Sequence, residues 1–211
     1  MEPFATSGVR GFLHRPEAPN GNAIVLTHGA GSNANAPLLV ALAGAFAAAG
    51  FLVLRYDLPF RVSGRKTPPP PAAQASDREG VLRAIDALRS MAKGRIIAGG
   101  HSYGGRQTAM AAAENPRMAD GLLLLSYPLH PPDKPQQLRT AFFPQLQTPA
   151  LFVHGARDPF GTLEELREAL RLIPAKTDLL AVQGAGHDLK RAGDLAADIL
   201  RRLYALAGLL S

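Results

Sequence analysis

The chain has 211 residues, 46% of them hydrophobic, which suffices for one domain, 1–211, with a real core. Its net charge of +6 comes from 23 Lys and Arg against 17 Asp and Glu, scattered over predicted helix faces without interleaved aromatic residues, which argues against nucleic acid as the primary partner. Cysteine is absent, which excludes disulfides, thiolate metal sites and a cysteine nucleophile; with no apolar run of membrane-span length and no signal-peptide pattern in Met1 to Thr6, the expectation is a cytoplasmic protein with no membrane partner.

Apolar runs and amphipathic runs alternate along the chain. Val9 to Leu13 reads as an antiparallel edge strand, and Ala23 to Thr27 as a short buried strand. Pro37 to Ala49 follows as a helix with Leu39, Leu42, Phe46 and Ala49 on one face, then Phe51 to Arg55 as a strand. The next helix spans Ser76 to Lys93; Ser76 and Glu79 have the spacing of a capping box, and Val81, Ile85 and Leu88 form one stripe. A strand over Gly94 to Gly99, a helix after Gly105, and strands over Gly121–Leu125 and Pro149–Val153 come next. Thr162 and Glu165 form a second capping-box pattern, before a helix that turns Leu163, Leu166, Leu170 and Ile173 inward. Asp178 to Val182 is the last strand, and the final helix carries Leu195, Ile199, Leu203, Leu206 and Leu210. Short strands without polar residues need cover on both faces, and the alternating helices supply it. The architecture expected is α/β, a mostly parallel sheet with helices on each side. Two proline-rich stretches, Pro59–Pro71 and Pro128–Pro135, follow strand ends and read as stiff loops framing a cleft; the first holds the one local basic group, Arg61, Arg65 and Lys66.

Gly100-His101-Ser102-Tyr103-Gly104 is a G-x-S-x-G sequence between a strand and a helix. That context marks a nucleophile elbow, a sharp turn that lifts a serine hydroxyl above the sheet. A serine needs a base, and the base needs an orienting carboxylate. Asp158 and His187 follow later predicted strands, in the order Ser, Asp, His, at the same sheet edge as Ser102. Oxyanion donors are expected from the backbone N–H groups of Tyr103 and Ala30, with Gly29 and Gly31 letting the backbone approach a ligand. Each residue has a plainer reading. Asp158 can form an Asx turn before Pro159, and Asp188 is a rival acid that adjoins His187 and so points away from it. His28, His101 and His154 read as packing groups; His130 reads as surface or substrate contact. No histidine pair has metal-ligand spacing, so neither metal nor cofactor is expected.

These residues resemble the α/β-hydrolase superfamily over nearly the whole chain. Thr27-His28-Gly29-Ala30-Gly31, Pro37-Leu38-Leu39, Phe51 to Tyr56 and above all Leu125-Ser126-Tyr127-Pro128-Leu129-His130-Pro131 resemble the small hydrolase-like family of testis-expressed protein thirty and NSL complex subunit three. In size the chain is also similar to dienelactone-hydrolase-type enzymes. The superfamily resemblance implies an α/β-hydrolase fold and a Ser102–His187–Asp158 triad acting on the ester or thioester of a small-molecule acyl substrate. The short span from Ser126 to Pro149 leaves no room for a large cap, so an open cleft bordered by Tyr103, Tyr127 and the proline-rich loops is expected, in a monomer or small homo-oligomer. The narrower family implies a second reading, a non-catalytic scaffold or binding subunit. A third is a nicotinamide-dinucleotide oxidoreductase, because Gly29 to Ala34 fits G-x-G-x-x-A and Asp57 follows the next strand.

Overall fold

Neighbouring residues of a strand point to opposite faces, so a wholly apolar strand is stable only between two layers. Residues 1–6, 8–190 and 192–208 are described in the computed structural model of the chain. Among them one eight-stranded sheet forms, from β1 (Glu2–Thr6), β2 (Val9–His14), β3 (Ala23–Thr27), β4 (Leu52–Tyr56), β5 (Ile96–His101), β6 (Gly121–Leu125), β7 (Ala150–Gly155) and β8 (Thr177–Val182), in the order β1-β2-β4-β3-β5-β6-β7-β8. From β4 to β8 the pairing is parallel; β2 joins β4 antiparallel, and β1 joins β2 antiparallel. Within β3, Ala23 and Val25 enter one hydrophobic cluster while Ile24 and Leu26 enter the other. Helices α1 (Pro37–Ala48) and α6 (Ala192–Ala207) cover the second face with Leu39, Leu42, Phe46, Ile199 and Leu203. Helices α3 (Ala75–Arg89), α4 (Tyr103–Glu114) and α5 (Leu163–Leu170) cover the first with Val81, Ile85, Leu88, Ala109, Ala112 and Leu166.

Several local expectations change. Val9 to Leu13 is indeed an antiparallel strand, but the edge is β1, whose residues are almost all exposed and so carry no burial pattern. Ser76 and Glu79 form no capping box. A 3-10 turn over Pro71–Ala73 runs directly into α3, whose N-cap is Gln74, and the Ser76 hydroxyl donates back to the Ala73 carbonyl at 3.3 Å. At α5 the box does form: Glu165 N–H donates to Thr162 Oγ1 at 3.1 Å, and Thr162 N–H donates to Glu165 Oε2 at 2.8 Å. Ala49 lies exposed at the C-cap of α1, and Leu163 is half-exposed. Leu210 lies outside the described residues.

This layout brings the C-terminal ends of β3 to β8 to one rim. The turn between β5 and α4 requires glycine: a Cβ on Gly104 would stand 2.4 Å from the His28 carbonyl oxygen, so any larger residue would push the elbow off β3. Pro59 to Val62 forms a single helical turn, α2, at the same rim.

Candidate active site

Ser102 caps α4 with φ 51° and ψ −116°. A side chain at positive φ is strained, and the surrounding structure has to hold it there. Two bonds do so: Ser102 N–H donates to the Leu125 carbonyl at 2.8 Å, and Arg106 N–H donates to the Ser102 carbonyl at 2.9 Å. Asp158 follows β7. Its side chain is fully buried, and Oδ1 accepts from the Phe160 N–H at 2.9 Å, which is the Asx turn. The same carboxylate also receives the His187 ring, Nδ1 standing 2.8 Å from Oδ2 and 3.0 Å from Oδ1. His187 comes from the loop after β8, and the Ser102 hydroxyl donates to its Nε2 across 2.8 Å. With Nδ1–H given to a carboxylate, Nε2 is left as the acceptor, the tautomer a general base needs. The Phe160 ring lies over the imidazole, with centroids 4.3 Å apart and planes at 33°.

The other histidines hold loops. His101 donates from Nε2 to the His187 carbonyl at 2.7 Å, tying the His187 backbone to the elbow. Burial holds the His101 ring below its ordinary pKa. His28 accepts from the Leu58 N–H at 3.1 Å and donates to the Gly29 carbonyl at 2.8 Å, and burial likewise lowers its pKa. His154 donates to the Gly161 carbonyl at 2.8 Å, with Nε2 3.8 Å from Asp158 Oδ2. Asp188 faces Lys190, whose Nζ is 3.1 Å away, and these bonds lower its pKa.

Gly29 lies against Ser102: a Cβ there would stand 3.5 Å from Ser102 Cβ and 3.0 Å from His101 Nδ1. Gly31 faces open space, and Ala30 between them is half-buried. Tyr103 opens α4, so its N–H is among the first-turn donors that have no partner within the helix.

Two residues expected at the cleft are elsewhere. Tyr127 is fully buried, packed on Phe143 and Phe152, with its hydroxyl donating to the Arg139 carbonyl at 2.5 Å; burial raises its pKa. His130 is only 4% exposed. Its Nδ1 meets the Pro131 carbonyl at 2.8 Å, its Nε2 meets Glu165 Oε2 at 3.4 Å, and its backbone N–H donates to the Phe160 carbonyl at 3.1 Å. The proline-rich loop turns both side chains inward, and its backbone at His130 holds the Asp158 loop through Phe160. Asp77 escaped sequence reasoning, because a lone acid inside an amphipathic helix reads as solvated surface. It is fully buried, and its carboxylate accepts from the Tyr103 hydroxyl at 2.7 Å and the Phe60 N–H at 3.1 Å. Asp57, the acid of the dinucleotide pattern, accepts from the Ala34 N–H at 2.7 Å and faces Arg10 at 3.3 Å. Among the described residues no group of three or more His, Cys, Asp or Glu is arranged to hold a metal ion, and no helix is long and apolar enough to cross a membrane.

Residues 20–204 match the family model described as an alpha/beta hydrolase domain. Putative carboxymethylenebutenolidases of Salmonella typhimurium and Escherichia coli K12 are each 32% identical over 101 residues, a match covering 44% of this chain and 36% of theirs. The chain therefore spans about a third of the length of these curated relatives. An alpha-beta serine hydrolase homologue from Coxiella burnetii superposes with a TM-score of 0.76 at 20% identity, over 96% of this chain and 97% of the other. Dienelactone hydrolase from Anabaena variabilis gives 0.74 at 20% identity over 97% of each chain. A serine hydrolase without lid from Xanthomonas campestris gives 0.75 at 17% identity over 97% and 95%. At these identities the likeness concerns the fold.

Proposed function

The chain belongs to the alpha/beta hydrolase domain family, and from that premise we propose that it is a serine hydrolase cleaving an ester or thioester bond of a small or medium acyl substrate. One observation carries the reading: the unbroken line from Ser102 Oγ through His187 to Asp158, with contacts of 2.8 Å on each side of the ring, drawn from three separate strand ends. Ser102 attacks the acyl carbon while His187 Nε2 takes its proton. Asp158 holds the Nδ1–H and stabilises the imidazolium that forms. The oxyanion is met by the N–H groups of Ala30 and Tyr103, and a donor of this kind is worth about 3 kcal/mol in the transition state. His187 then returns the proton to the leaving group, and water, activated by the same ring, releases the acyl group.

The strained φ of Ser102 is in keeping with this reading, since strained backbone clusters at active sites, and Ser126 and Leu189 share a positive φ beside it. The engagement of Asp57 with Ala34 and Arg10 disfavours the dinucleotide reading, which needs that carboxylate for a ribose. The names of the relatives are in keeping with ester chemistry. The test is a series of p-nitrophenyl esters of rising acyl length. Turnover by the natural chain that disappears in a folded Ser102→Ala protein is the expected result. Turnover that persists in that variant would place the chemistry elsewhere.

A further inference from the structure

A cavity on the catalytic rim takes no part in the reaction above. It holds about 540 Å³, and its wall includes Phe4, Arg10, Phe12, Asn33, Asp57 and Arg61. These residues come from β1, β2, the loops after β3 and β4, and α2, and the pairing of Gly11 with Tyr56 fixes that part of the ribbon at the catalytic end of the sheet. β2, at the middle of the lining, is three strands from β5 in the sheet order, so the cavity stands about 14 Å from Ser102 at ordinary strand spacing. Asn33 continues the loop that carries Ala30, so a substrate reacting at Ser102 can reach it along that loop. The volume falls within the usual range of small-molecule sites.

The charges around it do not balance. Asp57 divides its carboxylate between the Ala34 N–H and Arg10. Arg61 gives one bond, from Nη2 to the Lys66 carbonyl at 3.2 Å, while its Nε is buried without an acceptor. Under the wall Arg55 is fully buried, its guanidinium 4.8 Å from the Phe12 ring centroid, and its hydrogen bonds go to neutral groups such as His14 and Asn35. Arg10, Arg55 and Arg61 have Asp57 as the one carboxylate in the wall and the buried Asp77 behind Phe60 as the next, so the surroundings of the cavity are net positive. A carboxylate ligand would offer a single charge. A phosphate monoester carries about −1.5 to −2 near neutral pH, and its oxygens suit the guanidinium fork. The half-buried ring of Phe12 adds flat apolar wall. The bond from Arg61 to Lys66 also closes the basic turn that runs through Arg65, so the loop presents the same sign outward.

We propose that this cavity is a subsite for a phosphate group on a ring-bearing organic part of the substrate, with Arg61 and Arg10 as its ligands. As a statement about substrate class this rests on the hydrolase reading; as a binding site it stands without it. Calorimetry on the full chain with phenyl phosphate, benzoate and benzamide tests it. Phenyl phosphate should bind saturably and at least tenfold more tightly than benzoate, with no saturation by benzamide. Arg61→Gln should weaken phenyl phosphate tenfold or more. Asn33→Asp, which adds a negative charge to the wall without removing a ligand, should weaken it by a similar factor. Equal affinity for phenyl phosphate and benzoate, no saturable binding of phenyl phosphate, or indifference to both variants overturns the proposal. Turnover of p-nitrophenyl acetate is scored separately. A chain that cleaves the ester but ignores phenyl phosphate keeps the hydrolase and loses the cavity; one that binds phenyl phosphate but cleaves no ester does the reverse.

Discussion

Two imidazoles of this molecule, His187 half-buried and His14 buried, face opposite partners. His187 meets the Asp158 carboxylate at 2.8 Å; His14 accepts from Arg55 Nε at 2.9 Å. At the rim, Nδ1 of the ring meets a carboxylate, which leaves Nε2 facing the Ser102 hydroxyl. On the ribbon, burial and the adjacent guanidinium push the His14 pKa down to about 4, so that ring stays neutral and serves as an acceptor. For His14 burial comes first and the guanidinium across the hydrogen bond second, whereas the half-buried His187 has a carboxylate across its bond.

Removing the carboxylate is the harshest way to break the comparison. Asp158→Asn should lower kcat about 10³- to 10⁴-fold, because an amide no longer enforces the Nδ1–H tautomer. Steady-state kinetics that keep a tenth of the activity would mean that His187 is oriented by something else.

The second way concerns acid. His14 binds a proton less readily folded than unfolded, so the unfolded chain takes up protons first. Its contribution is whole above pH 6.5 and is lost as pH falls toward about 4, by at most about 3 kcal/mol. His14→Gln keeps an acceptor for Arg55 without titrating, and should flatten urea-unfolding stability between those pH values. Hydrolysis should still fall on acidification in that variant, because it depends on a proton reaching His187. Parallel loss of both properties in the variant would show that the two rings are not separate.

Third, Arg55→Met leaves His14 Nε2 and the Ala34 carbonyl without their donor and should cost about 2 kcal/mol in chemical denaturation. An unchanged midpoint would mean that solvent or a neighbour replaces the guanidinium. The smallest effect is expected beside the elbow. Tyr103→Phe removes the hydroxyl bonded to Asp77 and should lower kcat by about threefold to tenfold with little change in KM, since one hydrogen bond contributes about 1 kcal/mol. A change confined to KM would place Tyr103 in substrate binding.

The sheet and the line of Ser102, His187 and Asp158 were readable because each rests on local pattern. Apolar runs mark the buried strands, and each of the three residues sits directly after one. What stayed hidden depends on contacts between distant segments. Nothing in Glu2 to Thr6 marks an edge strand, since its side chains are exposed and only its backbone pairs. Ser76 and Thr162 open the same four-residue pattern, yet only Thr162 caps, because a preceding 3-10 turn already leads into α3. Tyr127 and His130 lie in a loop at the correct edge, but loop position says nothing about side-chain direction, and both turn into the core. Asp77 and Arg55 look like surface charges until α3 and the ribbon are packed over them.

Labelling with a fluorophosphonate, read by intact mass and peptide mapping, tests the central claim most directly. A single adduct on Ser102 is predicted for the natural chain, absent from Ser102→Ala and formed far more slowly in Asp158→Asn. A folded natural chain that stays unlabelled, or equal labelling of Ser102→Ala, would contradict the account.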